Sequence, residues 1–271
     1  MQILQYLKNF YQLKQLGQSE IDHLLALALH KNLNYLYKYP EKIIPISCQK
    51  KFVKLYQKRL NNWPLAYLQK NKEFYNLNFF VNKHTLVPRP DSEILVTQAL
   101  NYLANKKNLN VLDIGTGSGC LIISVAKNNK NQNYLATDIS KDALKVAKKN
   151  ARTHKTKIKF LSSNLFTKIP RQKFALIIAN LPYLTKEQML EPSIKHEPKN
   201  SLVSGKDGLR HYEKFLQQVQ NYLNDHFCLL LEMDPQQNKD LQTLAKKYLP
   251  NSKIEIIKDL NQQNRLIKIS H

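Results

Sequence analysis

Hydrophobic and polar positions divide the chain into two regimes. Up to about residue 70, apolar residues recur at helical spacing. Ile21, Leu24, Leu25, Ala28 and Leu29 form one stripe, opened by Ser19 as a cap with Asp22 three residues on. Phe52, Leu55, Tyr56 and Leu60 form another, and Pro40 and Pro45 punctuate between them. A packed helical bundle accounts for both stripes. The period changes at Phe74. Phe74 to Val81 and Thr85 to Val87 read as two strands around a turn at Asn82-Lys83-His84. Pro88-Arg89-Pro90-Asp91-Ser92-Glu93 then leads into a helix starting near Ser92.

Beyond Asn110, strand-like and helix-like segments alternate. The candidate strands are 110–114, 134–137, 158–161, 175–179, 228–232, 254–257 and 266–269. Most of the first five are continuous apolar runs, as strands buried on both faces require. The last two lie close together and are expected to be antiparallel. This alternation predicts an α/β fold, a doubly wound, Rossmann-like seven-stranded sheet. The expected organisation is a small N-terminal helical domain over residues 1–72, a connecting β-hairpin over 73–90 and the sheet domain over 91–271.

Composition narrows the setting. With 42% hydrophobic residues in 271, the chain can bury a core. No apolar run approaches the roughly 18 residues of a membrane span. The opening residues Met1 to Lys8 lack a basic stretch followed by an apolar one, so no secretory signal is expected. Cys48, Cys120 and Cys228 are far apart and form neither a metal spacing nor a disulfide framework. A reducing cytoplasm is the expected compartment. The net charge of +22 suits an anionic partner such as RNA, but the richness in Lys, Asn and Ile together is equally what drift of the coding sequence would produce. The charge therefore supports a hypothesis without founding one.

The strongest local signal is Val111-Leu112-Asp113-Ile114-Gly115-Thr116-Gly117-Ser118-Gly119, where an apolar strand runs into a glycine turn and a helix opens near Cys120. The next strand ends at Thr137-Asp138, where an acid can accept both ribose hydroxyls of an adenosine. A dinucleotide and S-adenosylmethionine both fit that outline. A dinucleotide ordinarily wants G-x-G-x-x-G. The spacing here is G-x-G-x-G with Asp113 two residues before the first glycine, which suits a zwitterionic amino-acid tail. Gly115, Thr116, Gly117, Ser118, Gly119 and Asp138 are the cofactor candidates.

The fourth strand of the sheet ends at Asn180-Leu181-Pro182-Tyr183. Ligands of open α/β sheets bind beyond the carboxyl ends of the strands, so this tetrapeptide and the glycine loop should share one cleft. An amide nitrogen is a poor nucleophile. Its two N–H groups could be held by the Asn180 side-chain oxygen and the Leu181 carbonyl, which would aim the nitrogen and stabilise positive charge developing on it. The Tyr183 ring can stack on a planar amide or base. A strand-ending turn, in which Asn and Pro are common, is the plainer alternative.

These segments together resemble the HemK/PrmC family, the protein-(glutamine-N5) methyltransferases that modify class-1 peptide chain release factors. The resemblance spans roughly residues 60–271. It rests on Glu73-Phe74-Tyr75, Val87-Pro88-Arg89-Pro90-Asp91-Ser92-Glu93, the glycine loop, Asp138, Ser163-Asn164-Leu165-Phe166, Asn180 to Tyr183, His196-Glu197-Pro198, Gly205-Lys206-Asp207-Gly208-Leu209 and Leu231-Glu232. The glycine loop is common to many methyltransferases, and Pro88-Arg89-Pro90-Asp91 is the more specific mark. The resemblance implies a methyltransferase sheet holding S-adenosylmethionine at Gly115 to Gly119, Asp138 and Asn180, with Asn164 and Leu165 bordering the adenine. It implies that Asn180 to Tyr183 carry catalysis and bind the glutamine of a Gly-Gly-Gln tip, with Arg89 and Glu197 as further substrate-binding candidates. It also implies that the N-terminal helices dock the rest of the release factor. Three positions depart from the family pattern. Leu181 replaces the first proline of the usual Asn-Pro-Pro-Tyr, Asn164 stands where Asp is frequent, and Asp234 stands where glycine is usual.

The remaining candidates read more plainly. Glu197 with Pro198 shapes a loop more readily than it supplies an acid, and Arg89 either contacts substrate backbone or caps a helix. His154, His196 and His211 have no metal-ligand spacing, and no metal is expected. Trp63 reads as core. Competing functions are glutamine methylation of a ribosomal protein, adenine-N6 methylation of DNA or RNA, and an RNA-binding module with a relic cofactor fold. Base methylation calls for flipping and a target-recognition domain. The short helical front end argues against the latter, so no stable nucleic-acid complex is expected, and a monomer is.

Overall fold

The computed structural model describes residues 1–188 and 192–271. The chain divides into two compact units, one comprising Met1–Lys70 with a short stretch ending at His196, the other beginning at Asn71 and resuming at Glu197. The first unit holds α1 (Ile3–Gln12), α2 (Gln18–Leu29), α3 (Leu33–Lys38), α4 (Ile46–Leu60) and α5 (Leu65–Gln69). Ile21, Leu24, Leu25 and Ala28 are buried with Ile3, Tyr6, Leu7, Phe52 and Tyr56, so the first predicted stripe faces its core, as does the second except for Leu60, which lies exposed at the end of α4. The expected cap at Ser19 is not found. α2 begins at Gln18 behind an extended Gly17, with no capping side chain. Asp22 is buried instead, its carboxylate accepting from the hydroxyls of Tyr11 and Tyr37. Two phenol donors satisfy a buried carboxylate better than the exposed helix end would.

The second unit opens with β1 (Lys72–Phe74) and β2 (Leu77–Phe79), paired antiparallel around Tyr75-Asn76. Both turn residues have positive φ, 49° and 56°, as a two-residue hairpin demands. This corrects the hairpin read from the sequence: its turn is not at Asn82 to His84, and Thr85 to Val87 forms no strand. Phe79, Phe80 and Val81 continue the apolar run past the end of β2, which hides the boundary. Nor is the hairpin a free connector. Phe74 and Phe79 are fully buried against Leu95, Val96 and Ala99 of α6 (Glu93–Leu103).

The main sheet contains β3 (Asn110–Ile114), β4 (Asn133–Asp138), β5 (Lys159–Ser162), β6 (Phe174–Ala179), β7 (Leu223–Glu232), β8 (Lys253–Lys258) and β9 (Asn264–Ser270). Its order is β5-β4-β3-β6-β7-β9-β8. β9 runs antiparallel to both neighbours and the other pairings are parallel, so the predicted doubly wound seven-stranded sheet is present. Strand order reverses between β3 and β6, which opens the ligand crevice expected of such sheets. The last predicted strand does not lie at the edge; β9 inserts between β7 and β8.

Helices cover both faces. Leu112, Ile114, Ile177, Leu229 and Leu231 pack with Tyr212, Phe215 and Leu216 of α9 (Arg210–Val219) and with Leu241 and Ala245 of α10 (Asn238–Tyr248). Val111, Leu176, Ile178, Cys228 and Leu230 pack with α6 and with Leu121, Ile122 and Val125 of α7 (Cys120–Asn128). The final major helix, α8 (Lys141–Thr153), is capped by Ser140, whose hydroxyl accepts from the Ala143 amide at 3.2 Å.

Asn150 of α8 ties three segments together. Its amide donates to the Phe80 carbonyl at 3.0 Å and the Ser118 carbonyl at 2.8 Å, and accepts from the Phe80 amide at 2.8 Å. It is 1% exposed, so no water replaces those partners when the side chain is removed. Asn150→Ala is expected to cost about 2–4 kcal/mol of stability, since each buried polar group left unpaired costs about 1–3 kcal/mol. Urea unfolding checks this; a loss under about 0.5 kcal/mol, the scale of a surface substitution, would show that the linkage is dispensable.

Candidate active site at the carboxyl ends of β3, β6 and β7

The period of two along each strand decides which side chains meet. On β3, Leu112 and Ile114 face the α9 side, so Asp113 faces the α6 and α7 side. On β6, Leu176 and Ile178 face that second side, so Asn180, next in the same parity, continues it. On β7, Cys228 and Leu230 do likewise, and Glu232 follows. The register pairs Ala179 with Leu231, which sets Asn180 beside Glu232. Asn180 Nδ2 donates to Glu232 Oε2 at 2.8 Å and to Ser92 Oγ, at the approach to α6, at 3.3 Å.

The glycine loop is built for backbone approach. Gly115, Gly117 and Gly119 have φ of 75°, 55° and 81°. A Cβ on Gly119 would lie 2.7 Å from Ile123 Cδ1, so this glycine seats α7 against α8. A Cβ on Gly117 would meet nothing nearer than 4.0 Å, so that side of the loop is open to a ligand. The Gly115 and Thr116 amides both donate to the Thr137 carbonyl at 2.9 Å. Thr116 Oγ1 donates to Asp113 Oδ2 at 2.6 Å, while the buried Asp113 Oδ1 has no partner among the described residues. Burial pushes the Asp113 carboxyl up to about 7. Ser118 is buried. Asp138 accepts from the Gly117 amide at 2.9 Å and the Ser140 amide at 2.8 Å, and burial raises its pKa against those bonds.

The Asn180 to Tyr183 tetrapeptide adjoins this loop. A Cβ on Gly115 would lie 3.5 Å from Leu181 Cδ2 and 3.8 Å from the Asn180 carbonyl oxygen. Leu181 is 4% exposed and belongs to the core on the α9 face, as its parity requires. Its carbonyl accepts from the Tyr212 hydroxyl at 3.4 Å. The Tyr183 hydroxyl donates to Glu232 Oε1 at 3.3 Å, and burial raises its pKa, with the Glu232 charge adding to the shift. The Tyr183 carbonyl accepts from Gln237 Nε2 at 2.8 Å. Pro182 lies between Leu181 and Tyr183 in the irregular stretch after β6.

The outlying candidates divide. Glu197, buried, accepts from Arg89 at 2.5 Å and from the Val87 amide at 2.9 Å, so its carboxylate faces the protein while Arg89 stays 39% exposed. Leu165 is buried with φ of 47°, and Ser163 Oγ donates to its carbonyl at 2.8 Å; Asn164 beside it is exposed. Asp234 caps a 3-10 turn, accepting from the Gln236 amide at 2.9 Å. Glu232, Ser92, Tyr212 and Gln237 were absent from the candidates drawn from the sequence. Strand parity was the signal available for Glu232; the others arrive from distant segments with no local pattern.

The residues present fit S-adenosylmethionine. An open glycine turn, an orphaned buried acceptor at Asp113 and a half-buried carboxylate at the end of β4 match a molecule with an amino-acid tail and a ribose. Known proteins agree. The methyltransferase small domain model matches residues 91–226. A release factor glutamine methyltransferase of Bacillus anthracis is 30% identical over 97% of this chain and 96% of that protein. A bifunctional methyltransferase of Rickettsia typhi is 36% identical over 81% of the chain. The chain spans about half the length of such bifunctional relatives, 46% of that one and 53% of another from Rickettsia bellii. A methyltransferase structure from Pyrococcus furiosus superposes with a TM-score of 0.53 at 16% identity, covering 82% of this chain and 98% of that one, which shows a shared fold. With half the chain under the domain model and nearly all of it aligned to a complete relative, the protein belongs to the HemK/PrmC family of S-adenosylmethionine-dependent methyltransferases.

Proposed function

We propose that the chain methylates the side-chain amide nitrogen N5 of the glutamine in the Gly-Gly-Gln motif of class-1 peptide chain release factors. The observation that carries this reading is the seat of Asn180 to Tyr183 against the glycine loop, with Leu181 Cδ2 in contact distance of a Cβ built on Gly115. The release factor glutamine methyltransferase of Bacillus anthracis, aligned over 96% of its length, supports the substrate.

When bound, S-adenosylmethionine supplies an electrophilic methyl group on a sulfonium. Asp138 would accept from its ribose, the 115–119 loop would cradle its tail, and Asn164 with Leu165 would border the adenine. With Nδ2 committed, Asn180 presents its Oδ1, to which nothing donates among the described residues. That oxygen and the Leu181 carbonyl, which retains a lone pair beside the Tyr212 hydroxyl, accept the two N–H groups of the substrate amide. Resonance is lost as the nitrogen attacks, so charge on those N–H groups grows toward the transition state. Tyr183 covers the amide plane. Arg89 contacts substrate backbone, and Glu197 holds the Arg89 guanidinium in place.

The test is incubation with labelled methyl donor and a purified class-1 release factor, followed by mapping of the label. Methyl on the Gly-Gly-Gln glutamine is expected; label only on a ribosomal protein or on nucleic acid would remove the substrate assignment. Two substitutions separate the subsites. Asp138→Ala is expected to weaken cofactor binding by roughly 1–3 kcal/mol in calorimetry. Asn180→Ala keeps the backbone carbonyl that lies toward Gly115, so it should leave that affinity nearly intact while lowering the single-turnover rate by about 10²–10³, as for other oriented transition-state contacts. Retention of more than about a tenth of the rate, against that expectation, would place the acceptor elsewhere.

The helical unit docks the body of the release factor in this reading. It exposes Ile43 and Ile46, 75% and 71% accessible, two apolar side chains available to a partner. Ile43→Asp with Ile46→Asp is expected to raise KM for the whole release factor and leave that for a short Gly-Gly-Gln peptide unchanged. Equal effects on both substrates would remove the docking role.

A further inference from the structure

Glu232 lies where a carboxylate is costly to place. It is 1% exposed at the end of β7, and burial raises its pKa. Its oxygens accept from Asn180 Nδ2 at 2.8 Å and Tyr183 Oη at 3.3 Å, and Ser92 adds a further hydrogen bond. Its backbone carbonyl accepts from the Tyr212 hydroxyl, which also reaches the Leu181 carbonyl. One residue therefore touches or connects to both acceptors the substrate amide needs. Among the described residues no ion pair forms on it: Arg265, the nearby cation, is held by Asp259 at 3.2 Å and by Asp91 at 3.3 Å.

We propose that Glu232 is the positioning residue that fixes the Asn180 amide in its reactive orientation. An ionised carboxylate can only accept, so it selects the rotamer in which Nδ2 faces inward and Oδ1 faces outward. The flipped amide would set two oxygens against each other in a dry site. A protonated Glu232 donates as readily as it accepts and loses that discrimination. The negative charge also polarises the Asn180 amide, which strengthens Oδ1 as an acceptor when positive charge develops on the substrate nitrogen. This inference rests on the acceptor reading of Asn180 and goes beyond it by naming what orients that residue.

A pH signature follows. The groups facing Glu232 are Asp91 before α6, Cys120 at the start of α7, Tyr183 after β6, Tyr212 of α9 and Arg265 of β9. Burial pushes Cys120 up to about 12 and lifts both tyrosines, so all three stay neutral as Glu232 titrates. Because the Glu232 pKa is raised and the ionised form is the competent one, the rate should climb with pH through a limb above the ordinary carboxylate range.

The experiment uses the full chain with a purified class-1 release factor. Glu232→Gln keeps the shape and removes a buried charge, which stability tolerates well. It is expected to lower kcat about 10–100-fold, the scale of a lost outer partner, to abolish the acid limb, and to leave calorimetric affinity for S-adenosylmethionine unchanged. Asn180→Ala combined with Glu232→Gln should be no slower than Asn180→Ala alone, since the second residue acts through the first. Wild-type kcat with the limb retained, or losses that multiply in the double variant, would overturn the proposal. A readout free of the acceptor is the side-chain amide signal of Asn180 in asparagine-labelled protein, assigned by its absence in Asn180→Ala. It should titrate in the same pH window in the wild type and not in Glu232→Gln; a signal indifferent to Glu232 would refute the orientation. If release factor is never methylated while this signal behaves as expected, the substrate assignment fails and the orientation stands.

Discussion

Everything in the catalytic unit depends on the central strands being sealed on both faces. All six residues of β6 are buried, as are four of the five of β3, so a polar side chain within them would lack both water and partners. Polar groups are tolerated only where the strands end and loops supply donors. Asp113, Asn180 and Glu232 mark that limit on three adjacent strands, and strand parity turns all three to the same face. The candidate site's polar groups are thus placed by the ends of the sheet strands, and the loops supply their partners.

The loop side is held by a second set of contacts. Gln237 Nε2 spans the Tyr183 and Asp207 carbonyls at 2.8 and 3.0 Å. Gly208 passes beneath, where a Cβ would fall 2.1 Å from the Tyr183 carbonyl oxygen, so only glycine fits. The Leu184 and Ser204 amides close a ladder between the two arms at 2.8 and 2.9 Å. Tyr183 is therefore gripped at its hydroxyl and at its carbonyl, which leaves its side chain little conformational freedom.

Much of this was legible before any coordinates. Six of the seven strands are legible to within two residues, because two-sided burial writes itself as unbroken apolar runs such as Phe174 to Ala179, while β7 opens five residues early, at Leu223, through the polar stretch Asn224-Asp225-His226. The glycine loop was legible because positive φ at Gly115 and Gly117 admits few other residues. The hairpin was misplaced because its turn at Tyr75-Asn76 uses residues without an obvious turn signature, and the apolar run continues beyond it. The Ser19 cap failed because Asp22 found buried phenols far along the chain, a tertiary preference that outweighs a local one. The Leu181 carbonyl, expected from the sequence to hold a substrate N–H, also accepts from the Tyr212 hydroxyl, a partner 31 residues away that no local pattern announces. Glu232 was visible only as part of a family segment; its partners come from residues 52 and 140 positions away, beyond any local pattern.

Leu181 carries one more consequence. In the family pattern a proline stiffens this position through its ring. Here stiffness comes instead from a side chain pressed into the core, within contact distance of where a Cβ on Gly115 would stand. The glycine loop and the segment at 181 are thus held apart by an ordinary van der Waals contact, while the positive φ at Gly115 keeps a side chain out of that position. Adjustment between the two falls on residue 181 alone: descendants of this chain should hold glycine at 115 and vary, if anywhere, at 181.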